Sequence, residues 1–142
     1  MRQATRRSDC PISFALDIFG DRWSLLVMRD LLFQEKDQFR DFAASEERIA
    51  TNILADRLQR LEHAGLIMKV PGPGGRERTA YRATDKGKDL IPVLLEMMLW
   101  SARHDPDTGA PEQLVAELER GQRSVARRVR RAGSIQAYLR KL

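Results

Sequence analysis

In "RIATNILADRLQRLEHAGLI", residues 48–67, the apolar residues Ile53, Leu54, Leu58 and Leu61 fall on one arc at about 100° per residue. That is the repeat of a helix with one face on a core, and Gly65 supplies its stop. The opposite arc carries Asn52, Ala55, Asp56, Gln59 and His63, with Thr51 at its edge. A merely solvated face would favour Lys and Glu, yet small and amide side chains crowd the start of this one. Its polar arc therefore suits contact with a second surface.

Working outward, "CPISFALDIFG" (10–20) predicts a helix opened by Pro11, with Ile12, Leu16 and Phe19 on one side. "RWSLLVMRDLLF" (22–33) predicts a second, on Trp23, Leu26, Val27, Leu31 and Leu32, and "DQFRDFAAS" (37–45) a short third, anchored by Phe39 and Phe42. The turn "EERI" then leads into the opening stretch. Short helix, tight turn and longer helix make a helix-turn-helix pattern. Beyond Gly65 the period changes: "LIMKV" reads as a strand, "PGPGGRE" as a turn and "RTAYRA" as a returning strand. Thr84 is placed to cap one long helix over "DKGKDLIPVLLEMMLWSARH" (85–104). Its Leu90, Leu94, Met97 or Met98 and Trp100 exceed what one face needs, which predicts packing against another chain. "DPDTGAP" (105–111) is a linker by composition, followed by a thin stripe of Leu114, Leu118, Val125 and Val129 on an Arg-rich helix. "SIQAYLRKL" (134–142) adds one or two turns. The expected units are a flexible arm over 1–9, a folded domain over 10–104, and a linker with an Arg-rich helical extension over 105–142.

A chain of 142 residues allows one domain with a real core, and 42% apolar with 32% charged residues fits a globular protein. Lys and Arg number 25 against 20 Asp and Glu, a net charge of +5, and Arg dominates the basic set. Such a surplus points to polyanions, nucleic acid first, with genomic composition bias as the competing account. No apolar run approaches the roughly 20 residues that span a bilayer, and the N-terminus lacks the apolar centre of a secretion signal. A cytoplasmic protein without membrane contact is expected. Cys10, His63 and His104 offer no metal-ligand spacing and no disulfide within the chain, so neither metal nor cofactor is expected. Cys10 would sit at a helix start, where the backbone dipole favours a thiolate, while Asp9 opposes one. It is a candidate redox sensor, the other reading being a small buried residue. As an enzyme nucleophile it has no placed base, so no catalytic residue is assigned and the chain is not expected to be an enzyme.

The blocks "CP…ALDIFGDRWSLLVMRDLLF", "FRDF", "SEERIATNILADRLQRLEHAGLI" and "YRATDKGKDLIPVL…W" resemble the HxlR-type winged helix-turn-helix regulators, a family similar in architecture to the MarR-type proteins. They run from about Cys10 to Trp100 in the family's order. The resemblance implies a mainly α fold with a small β-hairpin, dimerising through the N-terminal and long C-terminal helices. It also implies a cytoplasmic homodimer that regulates transcription by binding double-stranded DNA, and in some members a similarly placed cysteine acts as a sensor. Gln38, in a turn without glycine, and Ala83 depart from the family's pattern. Residues 106–142 lie outside it.

In that setting the longer helix would enter a major groove with its N-terminal turns nearest the bases. Asn52 suits a paired contact with adenine, and Gln59 offers the same further along. The Thr51 methyl and Ala55 suit a thymine methyl. Capping is the alternative for Asn52 and Thr51, since Ala50 is a poor cap. Arg57 falls among Ile53, Leu54 and Leu61, so its stem belongs on the core and its head on a carboxylate or carbonyl. Asp56 would repel phosphate unless Arg60 neutralises it, or it could accept from a cytosine amino group. Arg40, Arg60 and the hairpin residues Arg76 and Arg78 are the phosphate-contact candidates. The full expectation is a repressor on an inverted repeat with half-site centres roughly 10–10.5 bp apart, responsive to oxidants, electrophiles or a small ligand. The alternative is a protein-interaction module whose Arg-rich tail carries nonspecific nucleic-acid affinity.

Overall fold

The computed structural model describes the backbone of residues 7–142 and their side chains apart from residues 75–77. Of the arm expected over 1–9, residues 1–6 lie outside the described part. Helices α1 (Pro11–Phe19) and α2 (Arg22–Phe33) are joined by a short turn at Gly20. Asp21 starts α2 by accepting from the backbone N–H groups of Trp23 and Ser24, at 2.9 and 3.1 Å, and from Ser24 Oγ at 2.6 Å. Buried Val27, Met28, Leu32 and Phe33 make α2 the spine of the domain. Helix α3 (Phe39–Ala43) is shorter than the nine-residue segment suggested, because the Gln38 backbone N–H already donates to Asp41 and fixes the helix start there. Helix α4 (Thr51–His63) follows and buries Leu54, Leu58 and Leu61.

Strands β1 (Ile67–Gly72) and β2 (Gly75–Ala83) pair antiparallel, Ile67 opposite Ala83 and Val70 opposite Ala80. The turn is tighter than the expected 71–77. Pro73 and Gly74 alone span the corner, with Gly74 at φ 101°, a left-handed conformation that suits glycine. The hairpin root is knotted to the end of α4. Thr84 Oγ1 donates to the Gly65 carbonyl and accepts from Gly87 N–H, while Lys86 Nζ caps the Ala64 carbonyl at 2.7 Å. On its other edge, Tyr81 N–H donates to the Asp37 carbonyl at 2.7 Å, and Gln38 bridges to Ala80.

The single helix expected over 85–104 is two: α5 (Asp85–Lys88) and α6 (Ile91–His104). Pro92 explains the break, since it has no N–H to bond back one turn and its ring crowds the Lys88 carbonyl. The face of α6 with Ile91, Leu94, Leu95 and Leu99 is buried, Met98 packs at the margin of the core, and Met97 is exposed.

After the expected linker, α7 (Glu112–Ala132) runs back along α6 and α8 (Ile135–Leu139) docks near α2. Leu114, Leu118, Val125 and Val129, the stripe read from the sequence, are all buried. They join the same hydrophobic cluster as α2, α4 and α6, so the extension is part of the core. Gly121 bends α7 midway, a feature the stripe did not announce. Glu35 fastens the end of the chain, accepting from Ser134 Oγ at 2.8 Å and from Arg140 at 2.9 Å. The Ser134 hydroxyl, then Arg140, holds its carboxyl below the usual range.

Candidate nucleic-acid interface

Thr51 and Asn52 are the first two residues of α4, after Ala50 at the cap position. Capping was the alternative role for both, yet neither side chain caps the helix or makes a hydrogen bond among the described residues. The first-turn N–H groups of α4 are therefore without a side-chain partner and open to an anion. Thr51, Asn52, Ala55 and Gln59 are all exposed, and together they form the outer arc of α4.

What holds that arc outward is Arg57. Its Nε donates to Asp21 at 2.8 Å, and its guanidinium also pairs with Asp56, leaving the side chain 19% exposed. Asp21 thus starts α2 and anchors α4. Burial opposes ionisation of Asp21, but hydrogen bonds from Ser24 Oγ, Arg57 and the N–H groups of Trp23 and Ser24 outweigh it and lower its pKa to about 2. The Asp21 bond, against some desolvation, likewise raises the pKa of Arg57. Asp56 is further neutralised by Arg60 at 3.0 Å, one helical turn on.

The turn between α3 and α4 is pinned by residues the sequence did not single out. Glu47 takes Arg22 at 3.0 Å and Arg29 at 3.5 Å, while Arg29 also holds buried Asp30 at 2.8 Å and Ser45 Oγ at 3.3 Å. Tertiary pairs of this kind leave no local spacing signal.

Of the phosphate-contact candidates, Arg40 on α3 and Arg78 on β2 are exposed and make no ion pair among the described residues. Arg60 is exposed but shared with Asp56, and the Arg76 side chain lies outside the described residues. Arg48 was missed. It is exposed, sits just before α4 and has φ 56°, uncommon for a residue with a side chain. Cys10 is an exposed free thiol at the start of α1. No group of three or more potential metal ligands occurs among the described residues.

A short helix, a pinned turn, a longer helix with an open polar arc, and a hairpin tied to that helix's end define a winged helix-turn-helix protein. More particularly, the chain belongs to the HxlR-like helix-turn-helix family, whose model matches residues 18–108. It is 33% identical over 97 residues to the HTH-type transcriptional regulator Rv3095 of Mycobacterium tuberculosis. That match takes in 68% of this chain and 60% of the relative, so it spans less than two thirds of the mycobacterial protein. The structure of PA1607, a candidate transcription factor, is similar with a TM-score of 0.66 and 36% identity, over 74% of this chain and 73% of that one. The redox regulator HypR in its oxidised form superposes with a TM-score of 0.58 and 25% identity, over 67% of this chain and 97% of that one.

Proposed function

We propose that the chain is a transcription factor, acting in the cytoplasm as a homodimeric repressor, whose two α4 helices enter successive major grooves of an inverted repeat. The role is one of binding, with no catalytic step. The observation that carries it is the arc of Thr51, Asn52, Ala55 and Gln59, exposed and unpartnered on a helix that Arg57 and Asp21 hold in place. Asn52 presents a paired donor and acceptor to adenine, while Ala55 and the Thr51 methyl admit the helix and meet thymine. Arg40, Arg60, Arg78 and Arg48 fix the docking on phosphates.

Selection of bound sequences from a random duplex pool with the purified protein supplies the operator. On it, Asn52→Ala is expected to weaken binding by about 1–3 kcal/mol while leaving binding to random DNA almost unchanged. Arg78→Ala is expected to weaken both alike and to lower the salt slope by about one. Equal losses on both DNAs for Asn52→Ala would remove the base-reading assignment, and failure to enrich any sequence would remove the regulator reading. The sign of regulation is measured by a reporter behind the selected operator, where increased expression in the presence of the protein would contradict repression.

Regulation is assigned to Cys10. Its exposure beside the apolar face of α1 supports this, as does the likeness to a redox regulator of the same fold.

A further inference from the structure

Charge is segregated along the C-terminal extension. Residues 112–120 hold Glu112, Glu117 and Glu119 against Arg120, whereas residues 121–142 hold seven Lys and Arg and no acidic residue. The change falls at Gly121, where α7 bends. In the second half of α7, Val125, Ala126 and Val129 face the core. Helical spacing then puts Arg123, Arg127 and Arg131 on the outer side, where all three are exposed and pair with no carboxylate among the described residues. Their neighbours are already engaged, Arg128 with Glu117 at 3.4 Å and Arg130 with Asp89 at 2.8 Å and Asp85 at 3.4 Å.

Cations near a helix C-terminus also complement its dipole, but that effect is confined to the last turn. It accounts for Arg130 and Arg131 and leaves Arg123 and Arg127 without a reason. Position supplies one. The ion pairs of Arg130 with α5 bring this end of α7 beside the hairpin root, and Arg82, Lys88 and Arg130, with Asp37, border one depression walled by Val70 and Pro71 of β1. The C-terminal end of the basic stripe, at Arg131 next to Arg130, therefore lies near the root of the wing.

We propose that Arg123, Arg127 and Arg131 form a further contact with duplex DNA, gripping phosphates of the segment that flanks the site entered by α4. From Arg123 to Arg131 the helix rises about 12 Å, which matches three to four phosphates at a rise of about 3.4 Å each along one strand. Guanidinium forks suit that task, and no base needs to be read. The contact makes the extension a lengthening of the DNA footprint. It rests on the reading of α4 as the DNA-entering helix, and the experiment keeps the two apart.

The full chain is titrated by fluorescence anisotropy against three duplexes: a minimal operator, the same operator with ten extra base pairs on each side, and a random duplex of the longer length. The flanks should raise wild-type affinity by about tenfold at moderate salt. R123Q/R127Q/R131Q should lose that gain, keep the minimal-operator affinity, and show a salt slope on the longer duplexes lower by about two to three per bound protomer. R123K/R127K/R131K should retain most of it, and the circular dichroism of both variants should match wild type. The inference falls if flanks add nothing for wild type, if the glutamine variant keeps the gain, or if it loses affinity equally on the minimal operator. Absence of any preference for operator over random DNA would instead overturn the reading of α4, while the loss on random duplex would still support the stripe.

Discussion

At the scale of single residues, Arg57 and Asn52 sit five positions apart on one helix and face differently, Arg57 paired with Asp21 and Asn52 exposed. Helical spacing alone put Arg57 among core positions and predicted a carboxylate or a backbone carbonyl for its head. Which carboxylate was not legible, because Asp21 is 36 residues away and meets Arg57 only when α2 and α4 pack. Asp21 carries a pH dependence that follows from this. Its carboxyl ordinarily titrates near 3.8 and is held at about 2 in the folded chain. The unfolded chain therefore binds the proton more readily, so the Asp21 contribution is fully present above the unfolded value and is lost as pH falls through about 2. Integrated, it is worth about 2 kcal/mol. Urea unfolding of wild type and Asp21→Asn at pH 6 and pH 2.5 should show a large gap at pH 6 that narrows at pH 2.5. An equal gap at both would show that the charge of Asp21 does not stabilise the fold. Arg57→Ala, unlike Asn52→Ala, should also lower the melting temperature, since it leaves Asp21 without its cation.

At the scale of elements, the helix-turn-helix and the two strands were legible because their periods of 3.6 and 2 are local properties of the sequence. The junctions were less so. Pro92 marked the break between α5 and α6, but the apolar run on either side masked it. Gly87 gave no signal at all, sitting in "DKGKD" as an ordinary soft spot in a helix. In the fold it is buried, and a Cβ there would lie 2.0 Å from the Leu66 carbonyl oxygen and 3.3 Å from Met28 Cε. The backbone of α5 thus passes directly against the end of the hairpin, the same place where Thr84 and Lys86 tie off α4. Gly87→Ala must push these elements apart, with an expected cost of about 1–3 kcal/mol and weaker DNA binding through a displaced wing. Chemical denaturation checks the first and operator titration the second; a variant as stable as wild type would mean that the knot yields without strain.

At the scale of the whole molecule, the extension was legible as a stripe but not as part of the domain, because nothing local says which face a stripe will meet. Its packing against α6 and its share of the common core mean that deleting 106–142 would open that core, so the role of the tail is better tested by charge variants than by truncation. What the extension leaves bare is informative. Ile12, Phe14 and Leu16 of α1 are 70%, 52% and 57% exposed, and Val93, Met97 and Trp100 of α6 are 37%, 49% and 63% exposed. Two helices with such apolar faces are costly to keep in water, which favours a second copy as their cover. Leu16→Glu with Trp100→Glu should shift the chain from dimer to monomer in analytical ultracentrifugation and weaken operator binding at least tenfold, because each half-site is then bound alone. Cys10, exposed at the start of α1, reports on that helix's part of the cover. If the α1 helices meet across it, diamide should take two electrons and two protons from a pair of Cys10 thiols and leave a disulfide-linked dimer on a non-reducing gel. Neither Cys10→Ser nor the monomeric variant should give that band. A wild-type chain that sediments as a monomer would remove the dimer, and a crosslink that survives in the Glu variant would place the partner on some other face.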